Sequence, residues 1–161
     1  MDVQRFKDCM SKIPTSVSVV SCIDNSFLSA CTISSLMSVS VDSSIILFVL
    51  KSKSRTLQSL IGSTYFSINL LSIKQSESSV AFSGRRENQK FSDLTNSWDV
   101  FEEHFPYLRG STLSLACKLV STQVMGSSTI VLGTIISEIS CSNEAPLVYF
   151  NRLYHVALPL K

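Results

Sequence analysis

The stretch that decides the fold is CTISSLMSVSVDSSIILFVLKSKSRT, Cys31 to Thr56. Its centre, Ser44 to Leu50, is a continuous apolar run and reads as a strand buried on both faces. Hydroxyls crowd its N-terminal side at Thr32, Ser34 and Ser35, and the cations Lys51, Lys53 and Arg55 follow it. The next segment, SRTLQSLIGS, turns helical, with Leu57, Leu60 and Ile61 on one face and Gly62 as its stop. Ser54, Arg55 and Thr56 therefore open a helix, where free N–H groups and the positive dipole end favour an anion. Arg55 would add a charge-assisted contact. A plain N-cap at Ser54 with a solvated Arg55 satisfies the same spacing, so both readings stand at this point.

Working outward, Val3, Phe6, Met10 and Ile13 recur at helical spacing between Asp2 and Pro14 and form a short amphipathic helix. SVSVVSCI (16–23) alternates hydroxyl and β-branched residues, DNS (24–26) marks a turn, and FLSACTIS returns as the hairpin partner. TYFSINLL (64–71) is a further strand. SIKQSESSVAF is a helix with Ser72 as N-cap and Gly84 as stop. Periodicity is lost from Arg85 to Arg109, which reads as a long loop with short turns. Strands return at 111–124, 128–140 and 146–158. Many closely spaced strands with few helices favour a mainly β fold, a closed barrel with helices attached.

The chain has 161 residues, suited to a single domain over 1–161. With 45% hydrophobic and 16% charged residues it lies outside the disordered class, and a net charge of +2 argues against nucleic acid as a partner. No segment offers the uninterrupted apolar length of a membrane span, and MDVQRFKDCMSKI lacks the apolar core of a secretory leader. The cysteines Cys9, Cys22, Cys31, Cys117 and Cys141 include no C-x-x-C pair and read as free thiols in a reducing, cytoplasmic setting. No metal site is expected, because neither His104 nor His155 has ligand spacing to a cysteine.

Side-chain catalysis finds little footing. The only neutral-pH bases are His104 and His155, no G-x-S-x-G elbow surrounds a serine, and the adjacent Glu102 and Glu103 read as solvated surface. No catalytic residue is therefore assigned. Cofactor chemistry remains, in which the protein binds and orients a reactive ring.

Here the residues carry a resemblance. FKDCMSKIPTSVSVVS, the 31–56 block, FSINLLS, VAFSG, Ser97-Trp98, VMGSSTIVLGTI and PLVYFNRLYHVAL resemble, in order along nearly the whole chain, the flavin reductase family with the FMN-binding split barrel. The nearest likeness is to small reductase components of two-component flavin monooxygenases. The resemblance implies a closed antiparallel split β-barrel with a few short helices, working as a homodimer. It implies hydride transfer from NADH or NADPH to FMN or FAD, with reduced flavin passed to a partner monooxygenase.

Carried over by position, Thr32, Ile33, Ser34 and Ser35 would contact the flavin ring edge and ribityl chain. Leu50 and Lys51 would pass along it by backbone. Ser54, Arg55 and Thr56 would hold the phosphate, and Phe82 and Gly84 would lie near the ring. Ser128, Tyr154 and His155 would stand on the nicotinamide side. The chain departs from the family where Gly126 is followed by Ser127 and Ser128 in place of a His facing the nicotinamide. That departure sets the alternative: an FMN-binding carrier, store or sensor without NAD(P)H oxidase activity.

Overall fold

In the computed structural model, residues 1–25, 27–84 and 97–159 are described. The expected loop from Arg85 falls outside the described residues as far as position 96.

The chain opens with helix α1 (Val3–Met10), capped by Asp2 through the Arg5 N–H. Strands β1 (Thr15–Ser16), β2 (Ser18–Asp24), β3 (Phe27–Ile33), β4 (Met37–Ser40) and β5 (Ile45–Lys51) follow. Helix α2 (Arg55–Ser63), β6 (Tyr65–Leu70), a 3-10 turn (Ile73–Gln75) and α3 (Ser76–Ala81) lead to the second half. There β7 (Trp98–Phe101), β8 (Phe105–Leu108), β9 (Leu113–Met125), β10 (Ser128–Cys141), β11 (Leu147–Phe150) and β12 (Leu153–Val156) complete the chain. The mainly β expectation holds.

Seven strands form one antiparallel sheet in the order β3-β2-β6-β9-β10-β5-β4. Short hairpins set its register. Asn25 turns β2 into β3 in the left-handed region, and Gly126 does the same between β9 and β10. The strand ladder does not close into the barrel expected from the sequence. β3 and β4 end the sheet, and between β3 and β5 a side-chain bond, Val49 N–H to Ser35 Oγ at 2.9 Å, stands where a ladder would run.

The apolar periodicity places two cores. Val20, Phe48, Leu57, Leu60, Phe66, Ile68 and Val131 cluster on one side of the sheet, under α2. Val17, Val19, Leu71, Trp98, Leu108 and Leu147 cluster on the other. Adjacent Val19 and Val20 thus point into different cores, so β2 is the strand buried on both faces. β5, expected to be so, alternates instead: Ile46, Phe48 and Leu50 are buried while Ile45, Leu47 and Val49 are only half-buried. On its second face, Leu47 and Val49 line an open groove with Phe6 and Met10 of α1.

Several boundaries differ from the sequence reading. Residues 97–109, expected as loop, contain the β7–β8 hairpin, whose turn places Glu102 and Glu103 in the left-handed region. Asn69 anchors it: its Oδ1 accepts the Leu108 N–H and the Ser114 hydroxyl at 3.0 Å each. Residues 146–158, expected as one strand, fold back at Asn151-Arg152, both left-handed, to make the β11–β12 hairpin. α2 runs through Gly62, where a Cβ would crowd the Asp24 carboxylate, and is closed by left-handed Thr64, whose N–H donates to the Leu60 carbonyl. Ile61 stays exposed, off the buried face. Ser72 caps the 3-10 turn, with Gln75 accepting its N–H, and α3 ends at Ala81, before Gly84.

Candidate functional site

The gap between β3 and β5 is a cleft of about 430 Å³. Every residue assigned to flavin from the sequence lines it except Arg55. The sheet's two sides bring this about. β3 delivers Thr32 and Ile33, the connection to β4 delivers Ser34 and Ser35, and β5 delivers Leu50 and Lys51. The N-terminus of α2 adds Ser54 and Thr56, and the segment after α3 adds Phe82, Ser83 and Gly84. Sequence reasoning missed Ala30, Cys31, Val49 and Ser83 in the lining. Cys31 and Val49 neighbour assigned residues in the quoted block, so they were within reach of it.

The hydroxyls are not equivalent. Thr32 Oγ1 donates to the Ser79 carbonyl at 2.8 Å, and its N–H donates to the Phe82 carbonyl at 3.0 Å. Ser35 is bound to β5, as above. Ser54 Oγ accepts the Leu57 N–H at 3.2 Å, the N-cap that the sequence foresaw. Thr56 Oγ1 accepts the Ser29 hydroxyl at 3.2 Å. Both Ser54 and Thr56 thus retain a hydroxyl proton to donate at the helix start, where an anion gains most. Arg55, by contrast, is exposed at the first helical position and does not line the cleft. Lys51, exposed at the end of β5, is the cation in the lining.

Apolar contact comes from Ile33, Leu50 and Phe82, whose ring also meets Trp98 edge-on at 5.6 Å. Burial pushes the Cys31 thiol pKa up, and Lys51 partly opposes this. A cleft of this size with a few convergent polar groups is in the range of small-molecule sites, about 300–1,000 Å³.

Of the three residues expected on the nicotinamide side, Tyr154 and His155 share a cavity while Ser128 stands apart. Tyr154 lines a smaller adjoining cavity of about 230 Å³ that shares Thr32, Ile33, Ser34 and Ser83 with the cleft. His155 lines another cavity, together with Ile73, Ser76 and Tyr154 itself, and its Nε2 lies 3.1 Å from the Phe150 carbonyl. Ser128 pairs with Lys51 across the β5–β10 ladder and does not line the cleft.

Comparison with known proteins gives this architecture its place. The flavin reductase like domain matches residues 10–157. The chain is 24% identical over 156 residues to the reductase subunit HsaB of a flavin-dependent monooxygenase from Mycobacterium tuberculosis, covering 96% of this chain and 82% of that one. It is 26% identical over 131 residues to the FMN reductase (NADH) SmoA of Agrobacterium fabrum, covering 81% and 73%. Among solved structures, flavin reductase PheA2 in its native state superposes with a TM-score of 0.87 at 23% identity, covering 99% of this chain and 100% of that one. The chain belongs to the flavin reductase like domain family.

Proposed function

We propose that this chain is an NAD(P)H-dependent flavin reductase that passes a hydride from a reduced nicotinamide to FMN or FAD and supplies the reduced flavin to a partner monooxygenase. The observation that carries this is the cleft between β3 and β5, which joins hydroxyls, apolar side chains and a helix N-terminus in one site. The residues present fit the group. Ser54, Thr56 and the first N–H groups of α2 suit a phosphate, with Lys51 and the nearby Arg55 supplying positive charge. Ile33, Leu50 and Phe82 suit the faces and edge of a planar ring. When bound, flavin supplies the two-electron acceptor that these side chains lack, and the nicotinamide supplies the hydride. The chain's own residues bind, orient and exclude water, which agrees with the absence of a Ser-His-acid set in the lining. The relatives named as a monooxygenase reductase subunit and as an NADH-dependent FMN reductase support the same reading.

The domain works as a homodimer in this reading. Support comes from Phe6, Met10, Ile13 and Met37, exposed around a groove of about 790 Å³ beside the cleft. Sedimentation at micromolar protein checks it, and a monomer removes it. Five free cysteines agree with a reducing cytoplasm, and no helix among the described residues is long and apolar enough to cross a membrane.

NADH and NADPH oxidation, with and without added FMN or FAD, tests the central claim. Flavin-dependent turnover supports it. The Gly126-Ser127-Ser128 turn, without a His, favours a second reading as flavin carrier or sensor. Tight flavin binding with no oxidation of either nucleotide selects that one.

A further inference from the structure

Helix α3 carries the Phe82–Gly84 segment to the cleft, yet Ser79 is its one buried residue. Its own apolar side chains are only half-buried and Phe82, just past its end, packs on Trp98, so hydrogen bonds add to this packing in setting its position. Two of them meet at Ser79, which is 2% exposed. Its hydroxyl lies 2.8 Å from the hydroxyl of Tyr154, on β12. Its carbonyl accepts the hydroxyl of Thr32, on β3, also at 2.8 Å. The last turn of α3 is thus clamped between two strands distant in sequence. Because Thr32 has given its proton to Ser79, it faces the cleft with lone pairs only. It can accept from an N–H donor such as the imide of an isoalloxazine, and cannot donate to a ring carbonyl.

We propose that Tyr154 is a positioning residue of the flavin site: its hydroxyl, through Ser79, holds α3 so that Thr32 is presented to the cleft as an acceptor and Phe82 keeps its place in the lining. This rests on the flavin-reductase reading above and departs from the sequence expectation that Tyr154 faces the nicotinamide. The ring of Tyr154 leans on that of Tyr149, centroids 5.5 Å apart, so removing only the hydroxyl leaves the packing intact.

The test compares Tyr154→Phe, Ser79→Ala and the double variant in the full chain, with flavin affinity from fluorescence quenching and KM values from flavin-dependent NADH oxidation. Each single variant is expected to weaken flavin about 2- to 10-fold, the range for one net hydrogen bond, with the NADH KM unmoved. The double variant is expected to be no worse than either single one, because both cut the same link. A shift in the NADH KM alone, additive losses, or no change in flavin affinity overturns the proposal. Should the unsubstituted chain oxidise no NADH while binding flavin, the reductase reading fails, and the quenching series still decides the role of Tyr154.

Discussion

Ser35 Oγ accepts the backbone N–H of Val49 at 2.9 Å, and through this bond β3's continuation holds β5 across the gap in the sheet. The bond turns a side chain assigned to flavin from the sequence into a brace of the cleft wall. Ser35→Ala removes the acceptor and leaves a part-buried N–H without it. Stability is expected to fall by about 1 kcal/mol. The melting temperature then drops by roughly 2–4 °C for a chain of this size. Scanning calorimetry of Ser35→Ala against Ser35→Thr, which keeps the hydroxyl, checks this.

Arg55 is exposed at the start of α2 and outside the cleft lining, so any pull it exerts on a phosphate is a screened one. Arg55→Ala is expected to weaken FMN by less than about 5-fold, in line with the roughly 0–1 kcal/mol of exposed ion pairs. Riboflavin, which lacks the phosphate, is expected to be unaffected. Titration of both at low and high salt reads this directly, since the FMN effect fades as salt rises. A 5-fold or larger loss that survives high salt would place the guanidinium on the phosphate after all.

The thiols divide by burial. Cys22 and Cys117 are buried, and desolvation pushes their pKa up from 9.0 to about 12. They are expected to resist alkylation at neutral pH in the folded chain, while exposed Cys9 and Cys141 react first. Cys31, half-buried in the cleft lining, is expected to react slowly, and more slowly still with FMN present. Mass spectrometry after timed alkylation, with and without FMN, resolves the classes.

The same two thiols give a pH dependence of definite sign. Their folded values lie above the unfolded one, so between about 9 and 12 the folded chain holds protons that the unfolded chain has lost. Their contribution to stability is complete below about pH 9 and falls as pH rises through that window. Urea midpoints measured from pH 8 upward are expected to decline, and less so in Cys117→Ala once its own cavity cost is subtracted at pH 8.

Asn69 ties four groups together in the interior: its amide donates to the Val19 carbonyl and Ser21 Oγ, and its oxygen accepts from Leu108 and Ser114. Asn69→Ala strands these partners where no water reaches them, and a loss of about 3 kcal/mol is expected. Gly133→Ala is expected to cost about 1–3 kcal/mol by a different route, because a Cβ there overlaps the ring edge of Phe66. Equilibrium unfolding measures both.

The strands with clear alternation were legible in the sequence, and so was the cleft, because 31–56 supplies most of its lining in one local block. What local pattern could not show depends on partners far along the chain. Thr32 is held by Ser79, and Tyr154 by the same residue, links that span 47 and 75 positions. The two hairpins missed at 97–109 and 146–158 turn on non-glycine residues in left-handed geometry, Glu102-Glu103 and Asn151-Arg152, which lack the usual Asn-Gly signature. The closed barrel was inferred from strand number and from the family resemblance, and neither dictates whether the last ladder forms.

That unformed ladder has a consequence for how occupancy and rigidity are linked. The two walls of the cleft belong to one continuous sheet, β3 at one end and β5 next to the other, and the bonds from Ser35 to Val49 and from Ser29 to Thr56 at the start of α2 tie them together. Any guest that touches both walls acts as a cross-tie, finishing the hoop that the backbone leaves open. Slackening of the seam and departure of the guest are then one event, so protection of β3 and β5 amides from exchange should rise and fall with the guest's residence time.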